Sequence, residues 1–405
     1  MKKIIISGAL LAAGMVGATY YMGQKAKQSY LDWLSQVSAN SELQASNSDY
    51  QSGLLSASAT THLRVKEPKL AQILSEHGLP TVLELQHHFQ FLPWQASAQT
   101  QPVWQGQAKS LKALFGDSAT PAVANYTLSL LGGAQLDLRL DMLQWRSGND
   151  SLRLYPLDLQ IAGQGKARHA QLNWNGLEWQ QAANRLVLSG FKFDSQGSSQ
   201  RQCRAQLGTM TLNQGNTFFS LNGLQVDSEV REHGNDIDRN SQWRADDAKY
   251  NADRFSQLAL DLQMKNWNQR QLADTLREML IVLTDRQDDG DEFLHSFTEL
   301  LGKGGEIHFD NLKLVASNGE LSGQGYLKLK AGKVDSLSQF MAQSEGEVQL
   351  SVPRHLGSLE PIDEDILHVL SERGWVKDDN QQLQLNFQIN GSQLTLNQKT
   401  LATAL

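Results

Sequence analysis

The run that comes nearest to a chemical site is Asp285-Arg286-Gln287-Asp288-Asp289-Gly290. It imitates the opening of an EF-hand loop, with oxygen donors at loop positions one, three and five and glycine at six. Such a loop needs a bidentate glutamate at its twelfth position, and here that residue is Ser296. A hard cation would lose two of its oxygens, so a solvated interhelix turn with Asp291 capping the next helix is the better account. His87-His88 offers two imidazoles, but adjacent strand residues point to opposite faces and could not easily share one ion. No HExxH, paired cysteines or other close histidine spacing supports a metal site. Gly163-Gln164-Gly165 and Gly323-Gln324-Gly325 lack the third glycine of a phosphate cradle and open no convincing helix, so they read as turns or bulges between strands.

Nucleophilic chemistry fares no better. No Gly-x-Ser-x-Gly elbow is present, and Asp363-Glu364-Asp365 falls in the first turn of a candidate helix, where carboxylates suit the macrodipole. Cys203 is the only cysteine, so the chain has no internal disulfide; a half-buried strand residue is favoured over a catalytic thiol. Trp145, Trp174 and Trp179 lie in or beside alternating segments. They could line a trough for apolar ligands, against the ordinary alternative of core packing. The expected inventory is therefore empty: no catalytic residue, no cofactor-binding residue, no metal ligand and no cofactor.

The elements around these residues are mostly strands. Leu136, Leu138, Leu140 and Met142 alternate with Asp137, Arg139 and Asp141. The same period of two runs through 157–161, 172–174, 191–193, 210–212, 258–264, 312–314, 327–329, 348–350 and 383–389. Successive strand side chains point to opposite faces, so this spacing predicts half-buried strands. Leu186-Val187-Leu188 reads as a strand covered on both faces. Ser147-Gly148-Asn149-Asp150, Asn175-Gly176, Asn222-Gly223, Asn318-Gly319 and Asn390-Gly391 lie between or beside these runs and predict tight hairpins. No proline occurs between Pro156 and Pro353, as ladder-forming strands require. Helices are expected over 268–285, 291–301, 334–343 and 362–373. The fold class is mainly β with several helices (α+β): an N-terminal membrane anchor helix followed by extended antiparallel meanders.

Location is carried by the N-terminus. After Met1-Lys2-Lys3 come nineteen uncharged residues, 4–22, closed by Gly23-Gln24-Lys25-Ala26-Lys27. As a helix they cover about 28 Å, close to the bilayer hydrocarbon thickness. Tyr20-Tyr21 suits the headgroup interface, with Lys25 and Lys27 beyond it. A cleavable signal peptide competes, because Val16-Gly17-Ala18 offers small residues for processing; the uncleaved anchor is favoured because the apolar run continues past that point. Either reading exports the body. With 36 basic and 43 acidic residues the net charge is -7, which argues against nucleic acid as a partner. The expected division is a signal anchor over 1–27, a helical linker over 28–48 and a β-rich region over 49–265. A helical insertion over 266–303 and a C-terminal α+β region over 304–405 complete it. The helical continuation carries Tyr30, Leu31, Leu34 and Val37, and the polar stretch 38–48 reads as linker.

Several short motifs resemble the YdgA/YihF family, bacterial envelope proteins of largely uncharacterised function. These are the Lys-Lys-apolar anchor, Tyr50-Gln51-Ser52-Gly53-Leu54-Leu55-Ser56-Ala57-Ser58-Ala59, Leu370-Ser371-Glu372-Arg373-Gly374-Trp375-Val376, and Gly391-Ser392-Gln393-Leu394-Thr395-Leu396-Asn397-Gln398-Lys399. Two departures accompany them: Gln398 stands where the family usually has glycine, and a His-Gly-Pro-like segment is replaced by His88-Phe89-Gln90. The resemblance implies an inner-membrane-anchored, periplasmic, strand-rich protein that self-associates, and it carries over no catalytic residue. The architecture also resembles AsmA-like envelope proteins, whose amphipathic sheets are associated with lipid handling, an analogy of fold and a weak warrant for function. The expected role is non-enzymatic binding or scaffolding in the envelope, on lipid or on another envelope protein. The alternative is an envelope hydrolase acting on peptidoglycan or lipid, which requires a cleft with two carboxylates or a hydroxyl-His pair of perturbed ionisation.

Overall fold

The computed structural model describes residues 2–40, 43–76, 80–103, 114–115, 121–164, 167–284, 291–317, 319–334, 336–354, 369, 371–379, 382–391 and 393–403. Among the described residues strand makes up 65%, the strands pair antiparallel and five helices accompany them, so the chain is mainly β as its alternation predicts. It divides into two compact units, Met1–Gln196 and Gly197–Leu405.

The first unit opens with one helix, α1 (Lys2–Asn40), followed by β1 (Leu43–Asn47), β2 (Gln51–Ser52) and β3 (Ser56–Val65). A short helix, α2 (Pro68–Glu76), precedes the meander of β4 (Val82–Leu92), β5 (Gln95–Pro102), β6 (Ala122–Ser129) and β7 (Gly133–Leu140). Then come β8 (Leu143–Ser147), β9 (Asp150–Leu154), β10 (Leu157–Gln164), β11 (Ala167–Gln181) and β12 (Asn184–Gly197). β3 to β7 pair in sequence order, β7 pairs with β10, and β11 pairs first with β10 and then with β9. The stretch 38–48, read as linker, therefore contains a strand: β1 pairs with β3 from Leu43↔Val65 to Asn47↔Thr61, its polar residues making ladder bonds that need no apolar signal.

The second unit is a longer-stranded meander of β13 (Gln200–Gln214), β14 (Thr217–His233), β15 (Asp236–Tyr250) and β16 (Asp253–Asn268). After two helices, α3 (Gln269–Thr284) and α4 (Asp291–Lys303), it continues with β17 (Gly305–Ala316) and β18 (Gly319–Leu329). The helix α5 (Leu337–Gln343) leads into β19 (Ser344–Pro353), and β20 (Lys377–Asp379), β21 (Gln382–Asn390), β22 (Gln393–Leu396) and β23 (Lys399–Thr403) close the unit. Its core gathers Ile237, Trp267, Leu300 and Leu329, with the Trp267 indole donating to the Glu306 carbonyl at 2.8 Å. The region predicted as a helix over 362–373 lies almost entirely outside the described residues, as does the EF-hand-like run 285–290.

Asn-Gly marks two kinds of place. Ala316 pairs with Gly319, and Asn390 with Gln393, so Gly319 and Asn390-Gly391 do sit at hairpins. Asn175-Gly176 does not: it lies inside β11, where the strand passes from β10 (Trp174↔Leu157) to β9 (Leu177↔Leu154). Asn222-Gly223 lies inside β14, at a point where pairing to both neighbours is interrupted. Gly176 and Gly223 have φ of 137° and 64°, values that favour glycine and that a mid-strand irregularity demands as much as a turn does. At Gly176 the apolar alternation also resumes one residue out of phase, carried by Leu172 and Trp174 before it and by Leu177 and Trp179 after it. Gly323 and Gly325 likewise stand within β18, opposite an irregularity in β17 between Phe309 and Leu312, and not between strands.

Candidate functional site

Directly paired residues of antiparallel strands share a face, so the register maps the surface of the first unit. One row crosses seven strands from β3 to β11: Ala57, Phe89, Ala98, Tyr126, Leu136, Ile161 and Ala170. Beside it Ala124, Leu138, Leu159 and Leu172 form a second row, and Ala122, Leu140, Leu157 and Trp174 a third. The alternate residues make polar rows on the opposite face, such as Asn125, Asp137, Gln160 and Gln171. The result is a sheet with one apolar and one wet face, as the period of two predicts.

α1 covers only part of the apolar face. Met22, Ala26, Tyr30 and Leu34, spaced by four, are buried on Ala57, Ala59, Phe89, Phe91, Ala96 and Leu128. Leu31 is exposed and Val37 half-buried, so the buried apolar stripe is the i, i+4 series, with Thr19 buried just before it and Trp33 at its edge against His87. Among the described residues no helix packs on the row beyond β6. From residue 133 to 197, Gly176 is the only residue classed as buried among those described, and Ile161 is 38% exposed. Trp174, Trp145 and Trp179 are half-buried in this part, and Trp174 meets Phe191 edge-to-face with centroids 6.5 Å apart. Trp174 stands in the third row of the open face, and Trp145 and Trp179 share one face of β8, β9 and β11 through Leu152; the core of the unit lies elsewhere, under α1.

The covered part holds a buried polar run. His87 Nδ1 lies 2.7 Å from Thr100 Oγ1, and its Nε2 lies 2.8 Å from Thr61 Oγ1. Thr61 Oγ1 is 2.7 Å from the Tyr30 hydroxyl, which donates to Asn47 Oδ1 at 3.2 Å. One proton direction satisfies the whole run: Thr100 donates to Nδ1, Nε2-H to Thr61, Thr61 to Tyr30 and Tyr30 to Asn47. This requires a neutral imidazole. Burial, helped by the neighbouring charge of His88, lowers the His87 pKa to about 4. Tyr30, Trp33 and Phe89 ring the imidazole at 5.2, 6.0 and 6.2 Å between centroids. Thr61–His87 is thus a hydroxyl-imidazole pair of perturbed ionisation, but Thr61 is 0% exposed and sealed beneath α1. A substrate has no way to reach it in this arrangement.

His88 is exposed on the other face of β4, so the two histidines do not converge. Cys203 is half-buried in β13 opposite Ser228, and among the described residues no three His, Cys, Asp or Glu side chains gather for a metal ion. A concavity of about 470 Å³ on the wet face is lined by Thr127, Gln135, Ala162 and His169, and His169 is held by Asp194 at 2.9 Å. In the second unit, a concavity of about 370 Å³ sets Lys303, Lys328 and Lys330 against Glu306 and Glu345. Neither brings a nucleophile to a base. The apolar face is the feature of the first unit that packing within the unit leaves incomplete. Its tryptophans and its alternation are visible in the sequence; the half-cover by α1 is signalled there only by the series Met22, Ala26, Tyr30 and Leu34.

Among the described residues no helix is long and apolar enough to cross a membrane, and for residues 2–13 of α1 only the backbone is described. No curated protein and no solved structure matches the chain. Residues 1–358 match the family described as bacterial protein of unknown function (DUF945), and the chain belongs to that family.

Proposed function

We propose that this DUF945 protein is a non-enzymatic binding protein of the cell envelope, held at the inner membrane by residues 1–27 with its body in the periplasm. The open apolar face of β7, β10 and β11 takes the acyl chains of lipids. The observation that supports the reading is the single row from Ala57 to Ala170, buried under α1 at one end and left half-exposed at the other. Leaving that much contiguous apolar surface against water is unfavourable, and such patches mark binding surfaces. A flexible acyl chain suits a face of Leu, Ile and Trp that presents no charge in the rows described. The YdgA/YihF-like termini and the uncharged segment 4–22 support the membrane placement.

The test is lipid analysis of the full-length protein after mild detergent extraction, compared with Leu159→Gln and Trp174→Gln variants. Co-purified lipid that falls in both variants supports the reading. Full-length protein that carries no lipid, or that instead captures a second copy or an envelope protein through the same residues, removes it.

A further inference from the structure

We infer that the hairpin rim of the first unit nearest the start of α1 sits in the headgroup region of the bilayer. α1 lies along β4 in the reverse direction. Ser38 bonds Ala45 near the start of β1, Tyr30 reaches Thr61 and His87 at mid-strand, and a Cβ placed on Gly23 would stand 3.3 Å from the Phe91 ring at the end of β4. The helix therefore leaves the sheet at the end where β4 meets β5. That same end carries the turns before β3, between β4 and β5, and between β6 and β7. Backbone bonds tie these turns side by side: Phe91 N-H donates to the Leu55 carbonyl and Leu130 N-H to the Trp94 carbonyl, each at 2.8 Å.

The side chains on this rim are large, apolar and exposed: Leu54, Leu55, Leu92, Trp94, Leu130 and Leu131, the last 83% exposed. No charged residue occurs in 53–55, 92–95 or 129–133. Scattered exposed leucines are ordinary, but six on adjoining turns are not. Among the described residues of the opposite end, the turns Gly148-Asn149 and Ala182-Ala183 carry no large apolar residue, and Met142, between β7 and β8, is 39% exposed. The occupant is identified by what else emerges there. Tyr20 and Tyr21 are exposed on α1 between the buried Thr19 and Met22, and the uncharged run back to residue 4 continues from them. Trp and Tyr beside an apolar segment are the composition of a membrane interface. A rim seated this way would place the start of the open apolar face at the lipid surface, where an acyl chain could pass between them.

This inference rests on the membrane-tether reading, and the experiment separates the two. Full-length protein with Cys203→Ala is reconstituted into vesicles of phosphatidylethanolamine and phosphatidylglycerol. A polarity-sensitive nitrobenzoxadiazole label is placed at Leu131→Cys or, at the far end, at Ala183→Cys. The expected result is a blue-shifted emission at position 131 that lipid-borne quencher suppresses and aqueous iodide does not, with the reverse at 183. If the protein fails to float with the vesicles, tether and rim fall together. Flotation with both labels open to iodide overturns the rim alone. A 131 label shielded from iodide but untouched by lipid-borne quencher also overturns it, because a protein contact then covers the turns.

Discussion

Phe89 and Leu136 stand in one cross-strand row, three strands apart, and meet different surroundings. Phe89 lies under Tyr30 of α1 and is buried; Leu136, with no helix packed on it among the described residues, is half-exposed. The strands are built alike, with the same alternation and the same ladder bonds, so the sheet itself does not decide where the core is. A single amphipathic helix does. It turns one half of an apolar face into the interior of the unit and leaves the other half as surface available to a ligand. Stability should therefore concentrate in the covered half, and binding in the open half.

The sharpest test of that contrast is Phe91→Ala, which empties a fully buried site against α1 and should cost about 3–5 kcal/mol in denaturant unfolding of the full-length protein. A cost like that of an open-face leucine would break the comparison.

Next in size is the pH response of the covered half. His87 is held near 4 in the folded state against an ordinary value of 6.5, so the unfolded chain binds the extra proton between these values. Its contribution is complete above pH 6.5, shrinks as pH falls toward 4 and is flat below. The full loss is about 3 kcal/mol at about 1.4 kcal/mol per unit. Denaturant midpoints measured across that window should show the slope in the native protein and a reduced slope in His87→Gln.

Gly176→Ala should cost about 1–3 kcal/mol even though it lies in the open half, because a φ of 137° is strained for alanine. Its new Cβ would also stand 2.0 Å from the Leu188 carbonyl oxygen. Thermal unfolding measures this, and a neutral result would mean that β11 can regularise its pairing at that step. The smallest effect on stability is expected from Leu159→Gln, about 1 kcal/mol or less, since its side chain is already half in water. Its effect belongs in lipid retention, and a large destabilisation instead would show that the open half is core after all.

Much of this fold is legible from the sequence. The segments Leu157-Asp158-Leu159 and Leu383-Gln384-Leu385 are strands because their own side chains alternate, and that requirement is local. The failures share a cause. Asn175-Gly176 and Asn222-Gly223 predict hairpins because Asn-Gly accepts positive φ, yet a mid-strand irregularity asks for the same dihedral; only the partner strands distinguish the two. The strand Leu43–Asn47 is hidden in the sequence because its pairing uses backbone groups that every residue carries. Leu54, Trp94 and Leu131 draw no notice there as a group because each belongs to a separate turn, and register alone makes them neighbours.

The amino-acid order alone determined the period-two chemistry, and with it a mainly β chain having one greasy and one wet side per strand, because that pattern depends only on residues two positions apart. It also supplied the uncharged N-terminal segment and the want of a catalytic motif. Tertiary structure decided which strands adjoin, which half of the apolar face α1 covers, and which turns share an end. Those outcomes depend on contacts between residues tens of positions apart, whose free energies no local spacing encodes.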